Sequence, residues 1–218
     1  MALSLITRAG DTLQDGRGTW RARGANVWDL LDSSPQEAAQ RLTEVAALGV
    51  NAVRTWAFSK DGRADGNLLQ RLDAALAVAD RLGIRLLLCL GNGQTDFGGP
   101  QCFKLDQDSW YRPGGDGIAP EWAAQVQALV SRYRGRGAVM AWEVLNEPRP
   151  NFDPISMGWI DRAAKLVKAT DPTHLVSSGA EGFLHPLYPT PDAQSGASVD
   201  LSVANLHPPS IDLVSSHV

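Results

Sequence analysis

The run Val139-Met140-Ala141-Trp142-Glu143-Val144-Leu145-Asn146-Glu147-Pro148 joins an apolar, strand-like stretch to an Asn-Glu-Pro end. It sets a carboxylic acid, Glu147, where strand gives way to loop. Alternation of side chains with a period of two predicts Glu143, Leu145 and Glu147 on one face. Proline disfavours the helical region for the residue before it, so Pro148 predicts that the strand runs up to Glu147 and stops there. A carboxyl half-buried among aromatic residues has its neutral form favoured. A neutral carboxylic acid of this kind can protonate a leaving oxygen such as that of a glycosidic bond. The tripeptide alone also fits a turn that merely ends a strand; Trp142 before it and the strand-end residues elsewhere favour the chemical reading.

The elements that would position this acid repeat as strand then helix. Strands are predicted over Arg21–Trp28, Val50–Trp56, Ile84–Leu90, Val139–Leu145, His174–Ser178 and Leu201–His207. Helices are predicted over Pro35–Leu48, with Ser33 or Ser34 as N-cap, Leu68–Leu82, ending at Gly83, Pro120–Tyr133 and Pro154–Ala169. The unbroken apolar run Ile84–Leu90 fits a parallel strand covered on both faces. Such alternation implies a parallel sheet with right-handed crossovers. Its long loops (Gly91–Pro120, Pro148–Asp153, Gly182–Ser198) follow strands, where α/β folds carry their chemistry. A hairpin over Leu5–Trp20, turning at Asp15-Gly16-Arg17-Gly18, is expected to cover the N-terminal end of the sheet.

Six strand-end motifs, in order, resemble the endo-β-1,4-mannanase branch of glycoside hydrolase family 5. They are Gly24-Ala25-Asn26-Val27-Trp28, Leu48 to Phe58 with Arg54-Thr55-Trp56, Asn92 to Gly99, Trp142 to Arg149, Gly179 to Phe183, and Asn205-Leu206-His207-Pro208. The resemblance implies a (β/α)8 TIM-barrel fold in one domain over residues 1–218. It also implies a retaining two-glutamate mechanism on β-1,4-linked mannan-type polysaccharides or oligosaccharides, with no cofactor and no metal. In those terms Glu147 resembles the catalytic acid/base and Asn146 the residue beside the sugar 2-hydroxyl. Arg54 resembles the arginine that holds the nucleophile's carboxylate, and His207 the family's active-site histidine. Trp56 could stack on a sugar face, as could Trp28 and Trp142, although tryptophan also fills barrels. Asn92 and Glu181 are candidate polar groups of sugar subsites.

The chain also departs from that pattern. Retaining glycosidases place two carboxyls about 5–5.5 Å apart, and the resembled nucleophile is a glutamate ending the seventh strand. The six glutamates here are Glu37, Glu44, Glu121, Glu143, Glu147 and Glu181, and none follows His207. The resemblance therefore predicts an incomplete barrel of about six strands, lacking strands 7 and 8 unless a longer natural chain supplies them. Such a chain would leave Arg54 without its carboxylate, expose apolar surface and hydrolyse little. At strand rise Glu143 would lie roughly 13 Å below Glu147, too deep to replace the nucleophile; Glu181 is a conceivable but weak substitute. Gly93-Gln94 stands where the resemblance implies an aromatic residue, and no tyrosine follows His207. Cys102 and Leu105 stand nearest the expected aromatic platform. The alternative is a non-catalytic, glycan-binding or vestigial barrel fragment.

Composition bounds the remaining classes. At 218 residues, 44% apolar and 20% charged, the chain suits a globular domain. A net charge of -4 gives no nucleic-acid footprint, and no apolar run approaches a membrane span. Two cysteines make no disulfide framework, and Cys89 reads as a small apolar strand residue. Met1 to Gly10 shows no export signal, whereas the resembled family is usually secreted, so localisation stays open. No zinc spacing, phosphate loop or Gly-x-Ser-x-Gly elbow occurs, which argues against metal, nucleotide or serine chemistry and against a phosphate-binding isomerase or lyase barrel. His174 is expected to join helix to strand through backbone bonds; His185 and His217 fall in loop and tail.

Overall fold

The computed structural model of the chain describes residues 2–112, 117–148, 158–181 and 208–215. Strands β1 (Thr7–Ala9), β2 (Thr12–Asp15) and β3 (Gly18–Trp20) form an antiparallel sheet, so the expected hairpin has a third strand. Five parallel strands follow in chain order: β4 (Gly24–Asn26), β5 (Ala52–Trp56), β6 (Arg85–Cys89), β7 (Val139–Glu143) and β8 (Leu175–Ser177). The helices are α1 (Pro35–Ala47), α2 (Gly66–Leu82), the short α3 (Gln107–Tyr111), α4 (Pro120–Tyr133) and α5 (Trp159–Thr170). This is part of a (β/α)8 barrel. The predicted strand Leu201–His207 lies outside the described residues, as does the start of the last helix, Pro154–Met157. Next to β8, the stretch after Pro208 does what no strand prediction assigned to it. Leu213 bridges Ser177 in parallel, and the Asp212 and Leu213 amides both donate to the Val176 carbonyl.

Local signals explain the helix ends. Ser34 and Glu37 form a reciprocal capping box at the start of α1, which satisfies two amides that have no partner within the helix. Asp65 caps α2 through the Leu68 amide, and Gly83 closes it in the left-handed conformation.

The five strands separate two apolar layers. Val53, Leu86, Leu88, Trp142 and Val176 face the helices and pack on residues such as Leu72, Leu76, Val126 and Val167. Ala52, Leu87, Met140, Ala141 and Leu175 face the barrel interior, where Ile6 and Trp20 of the N-terminal sheet close over them. Arg85 fastens that lid: it donates to the Ser4 carbonyl, pairs with Asp15 and lies over the Trp20 ring. An apolar cavity of about 220 Å³ runs along the interior from Ala22 and Gly24 up to Arg54. It is smaller than a typical ligand site of about 300–1,000 Å³.

The long segment after β6, read from sequence as loop, folds into a 3-10 turn (Pro100–Phe103) and α3. Its Trp110 packs with Trp122 and Trp159, at ring separations of 6.1 and 6.0 Å, and all three are fully buried. Trp142 is buried too, on the helix side, donating to Asp171. It is therefore no sugar platform: its position on β7 turns it away from the barrel interior.

Candidate active site

Register sets the layers of the mouth. Arg54 of β5 is level with Leu87, and Ala141 of β7 faces Leu87 in turn. One step higher, Trp56, Cys89, Glu143 and Ser177 share a level. Arg54 therefore reaches up and across β6 to the Glu143 carboxylate. Its Nε donates to both carboxylate oxygens at 3.0 and 3.1 Å, and Nη2 donates to Oε1 at 2.6 Å. The Glu143 side chain is fully buried and that of Arg54 is 14% exposed. Burial opposes the guanidinium's charge, but the Glu143 carboxylate outweighs it and holds the Arg54 pKa above its ordinary value. Burial, with the Glu143 charge beside it, pushes the Cys89 thiol well above its ordinary range, so Cys89 stays a neutral packing group.

This overturns two expectations. Arg54 is not left without a carboxylate; Glu143 supplies it from within the barrel. The period-two pattern also fails beyond Glu143, where β7 ends four residues short of Glu147. Leu145 packs in the helix-side core, opposite in sense to Glu143. Regular strand rise therefore does not separate Glu143 from Glu147, and both carboxylates act electrostatically on Arg54.

The same guanidinium organises the Asn-Glu pair. Arg54 Nη2 donates to Asn146 Oδ1 at 2.8 Å, and Asn146 Nδ2 donates to Asn92 Oδ1 at 3.0 Å. Asn92 and Asn146 also form a parallel bridge, prolonging the sheet past the strand ends. Asn92 Nδ2 in turn holds the Asp96 and Phe97 carbonyls, so this residue stabilises its own loop while ordering Asn146.

Glu147 is half-buried and lies between the two neighbouring strand ends. Its amide donates to the Gly179 carbonyl at 3.0 Å, and Gln94 Nε2 donates to its Oε2 at 2.9 Å. Its φ is +49°, not the extended value that Pro148 leads one to expect. A left-handed backbone at a non-glycine residue costs about 1–3 kcal/mol and persists only where the surroundings impose it. Two glycines let the neighbouring segments close in on this stretch. A Cβ at Gly93 would come within 2.1 Å of the Glu147 carbonyl oxygen, and one at Gly179 within 1.7 Å of the Leu145 carbonyl oxygen. The Gly93 backbone thus approaches Glu147, and the Gly179 backbone Leu145 and Glu143, closer than any other residue allows.

Trp56 is half-buried at the mouth, its ring 4.9 Å from Phe58 and 4.8 Å from Trp28, which is 39% exposed. Glu181 is buried just beyond β8. The structure thus gathers Arg54, Trp56, Asn92, Asn146, Glu147 and Glu181 at the C-terminal strand ends, while His207 lies outside the described residues. Gln94 and Glu143 are the residues that sequence reasoning passed over as parts of the site. The signal for Gln94 was its place where an aromatic was expected; for Glu143 it was an inward carboxylate level with Trp56. Among the described residues no group of three or more His, Cys, Asp or Glu could hold a metal ion. His174 bonds the Arg136 carbonyl and Asp171, away from the mouth, as a helix-to-strand joint.

Comparisons with known proteins agree with this geometry. A family model described as "GH family 5 beta-mannosidase-like" matches residues 124–206. The chain is 32% identical to mannan endo-1,4-beta-mannosidase 8 of Oryza sativa subsp. japonica, covering 89% of this chain and 63% of that protein. It is 31% identical to mannan endo-1,4-beta-mannosidase 7 of the same plant, covering 99% and 66%. The chain thus spans just under two thirds of the length of these relatives. The endo-1,4-beta-mannanase from Rhizomucor miehei superposes with a TM-score of 0.84 at 20% identity, over 99% of this chain and 71% of that one, and carries the fold comparison. The hyperthermostable endo-1,4-beta-D-mannanase from Thermotoga petrophila RKU-1 superposes with a TM-score of 0.75 at 25% identity, over 88% and 66%. With the ordered strand-end motifs and the barrel that carries them, these likenesses make the chain similar to glycoside hydrolase family 5, on the mannanase-like side of that family.

Proposed function

We propose that the chain carries the proton-donating half of a site that hydrolyses β-1,4 bonds in mannan-type polysaccharides. In this reading residues 1–218 are one catalytic-type barrel domain. Glu147 protonates the leaving glycosidic oxygen, and Asn146 bonds the sugar hydroxyl next to the bond being broken. Arg54 orients Asn146, while Asn92, Glu181 and His207 supply polar contacts to the sugar and Trp56 a ring to stack on. The observation that carries this reading is the hydrogen-bonded chain Glu143–Arg54–Asn146–Asn92, which sets Asn146 beside a half-buried carboxyl at the strand mouth. Trp56 Nε1 adds support: it is buried with no hydrogen-bond partner among the described residues, a donor that a sugar hydroxyl would satisfy.

The test is cleavage of manno-oligosaccharides, with product analysis, by the chain and by Glu147→Gln. A general acid contributes about 10²–10⁴-fold, so the variant should lose at least that much. Equal rates for the two proteins would overturn the assignment of Glu147. A second reading, glycan binding without turnover, is favoured by the full burial of Glu143, which keeps that carboxylate from a sugar at the mouth. Calorimetric binding of manno-oligosaccharides with no products would select that reading.

A further inference from the structure

Gln94 stands where an aromatic residue was expected, and its side chain reaches the carboxyl of Glu147. It donates Nε2–H to Glu147 Oε2 at 2.9 Å. The contact is built into the backbone. The Gly93 amide donates to the Asn146 carbonyl at 2.6 Å, Gln107 Nε2 holds the Gly93 carbonyl at 2.9 Å, and the Gln94 amide donates to Asn92 Oδ1 at 3.3 Å. The close approach at Gly93 brings the Gln94 backbone alongside Glu147, so the amide reaches the carboxyl without crossing open solvent.

We infer that Gln94 is a positioning residue for Glu147, one that fixes its carboxyl through Oε2 and sets the pH at which its proton is lost. This rests on the reading of Glu147 as the proton donor. An N–H donated to a carboxylate oxygen favours the ionised form and lowers the pH of ionisation. The oxygen that accepts it is the poorer place for a proton, and the carboxyl cannot rotate away without losing the Gln94 bond. A phenylalanine ring at position 94 would offer a stacking face but no hold on Oε2.

The test compares the chain with Gln94→Leu, which keeps the bulk and removes the donor, with Gln94→Asn, and with Gln94→Glu, which places a like charge against Glu147. The Glu147 carboxyl is followed by carbon-13 NMR across pH, with Glu147→Gln identifying its signal. In Gln94→Leu the titration midpoint should rise by about one pH unit, and in Gln94→Glu by more. Gln94→Asn should recover part of the wild-type value. The other ionisable groups of the surrounding elements — Arg54 on β5, Cys89 on β6, Asp96 beyond it, Glu143 on β7 and Glu181 beyond β8 — are the same in every variant. A packing role for Gln94 would change melting without moving the midpoint, so coincident midpoints in wild type and Gln94→Leu overturn the inference. The titration needs no turnover. A shifted midpoint in a protein that cleaves no mannan upholds the Gln94 coupling and removes the hydrolytic reading; an unmoved midpoint in a protein that does cleave removes Gln94 alone.

Discussion

Replacing Glu143 with glutamine keeps the shape of the side chain and removes the charge that Arg54 answers. Three hydrogen bonds of 2.6–3.1 Å join the two groups, one fully buried and the other 14% exposed. Breaking one side of such a pair costs about 3–5 kcal/mol, because the surviving charge stays buried without compensation. Against a total stability of about 5–15 kcal/mol this is a large fraction. For a chain of this size it corresponds to a fall in melting temperature of about 10 °C. Urea unfolding followed by circular dichroism measures it. The double variant Arg54→Met with Glu143→Leu should recover most of the loss, since an apolar pair of similar volume carries no desolvation cost. The single and double variants should differ in binding, however, because Asn146 Oδ1 loses its donor only when Arg54 is gone. A Glu143→Gln protein within about 1 kcal/mol of wild type would refute the view that this pair holds the mouth together.

Other positions give independent tests. Gly93→Ala should destabilise the chain by about 3 kcal/mol or more and abolish manno-oligosaccharide binding, since its Cβ meets a backbone oxygen that cannot yield; unchanged calorimetric affinity would contradict this. Glu147→Gly should leave stability equal or raise it by up to about 1 kcal/mol while removing catalysis, because glycine relieves the left-handed backbone; a marked loss on urea unfolding would count against stored strain. Asp171 is buried, which by itself opposes its charge, but bonds from Thr173, Trp142 and His174 hold its carboxyl well below the usual range. A depressed folded-state pKa contributes stability that is complete above about pH 4, the unfolded value, and is lost as pH falls towards the folded one. Asp171→Asn should therefore flatten the acid side of the stability profile; a profile of unchanged slope below pH 4 would rule out this linkage.

The sequence by itself determined the succession of strands and helices, because apolar periodicity, the Ser34 cap and the Gly83 stop are local properties that do not depend on what packs nearby. It also determined that Asn146 and Glu147 follow the strand begun at Val139, although that strand stops at Glu143, four residues before Glu147. The tertiary structure decided the rest. Trp142 faces the helices by alternation with the inward Glu143, whereas Leu145 breaks the alternation because the chain leaves the ladder after Glu143. The left-handed backbone of Glu147 contradicts what Pro148 alone implies, and it goes with the close approach of Gly93 to the Glu147 carbonyl and the bond from the Glu147 amide to the Gly179 carbonyl, both far away in sequence. Arg54 finds its carboxylate 89 positions along the chain, and Gln94 finds Glu147 53 positions along. Pairings of that length depend on strand order and register, and no local pattern of residue types encodes them.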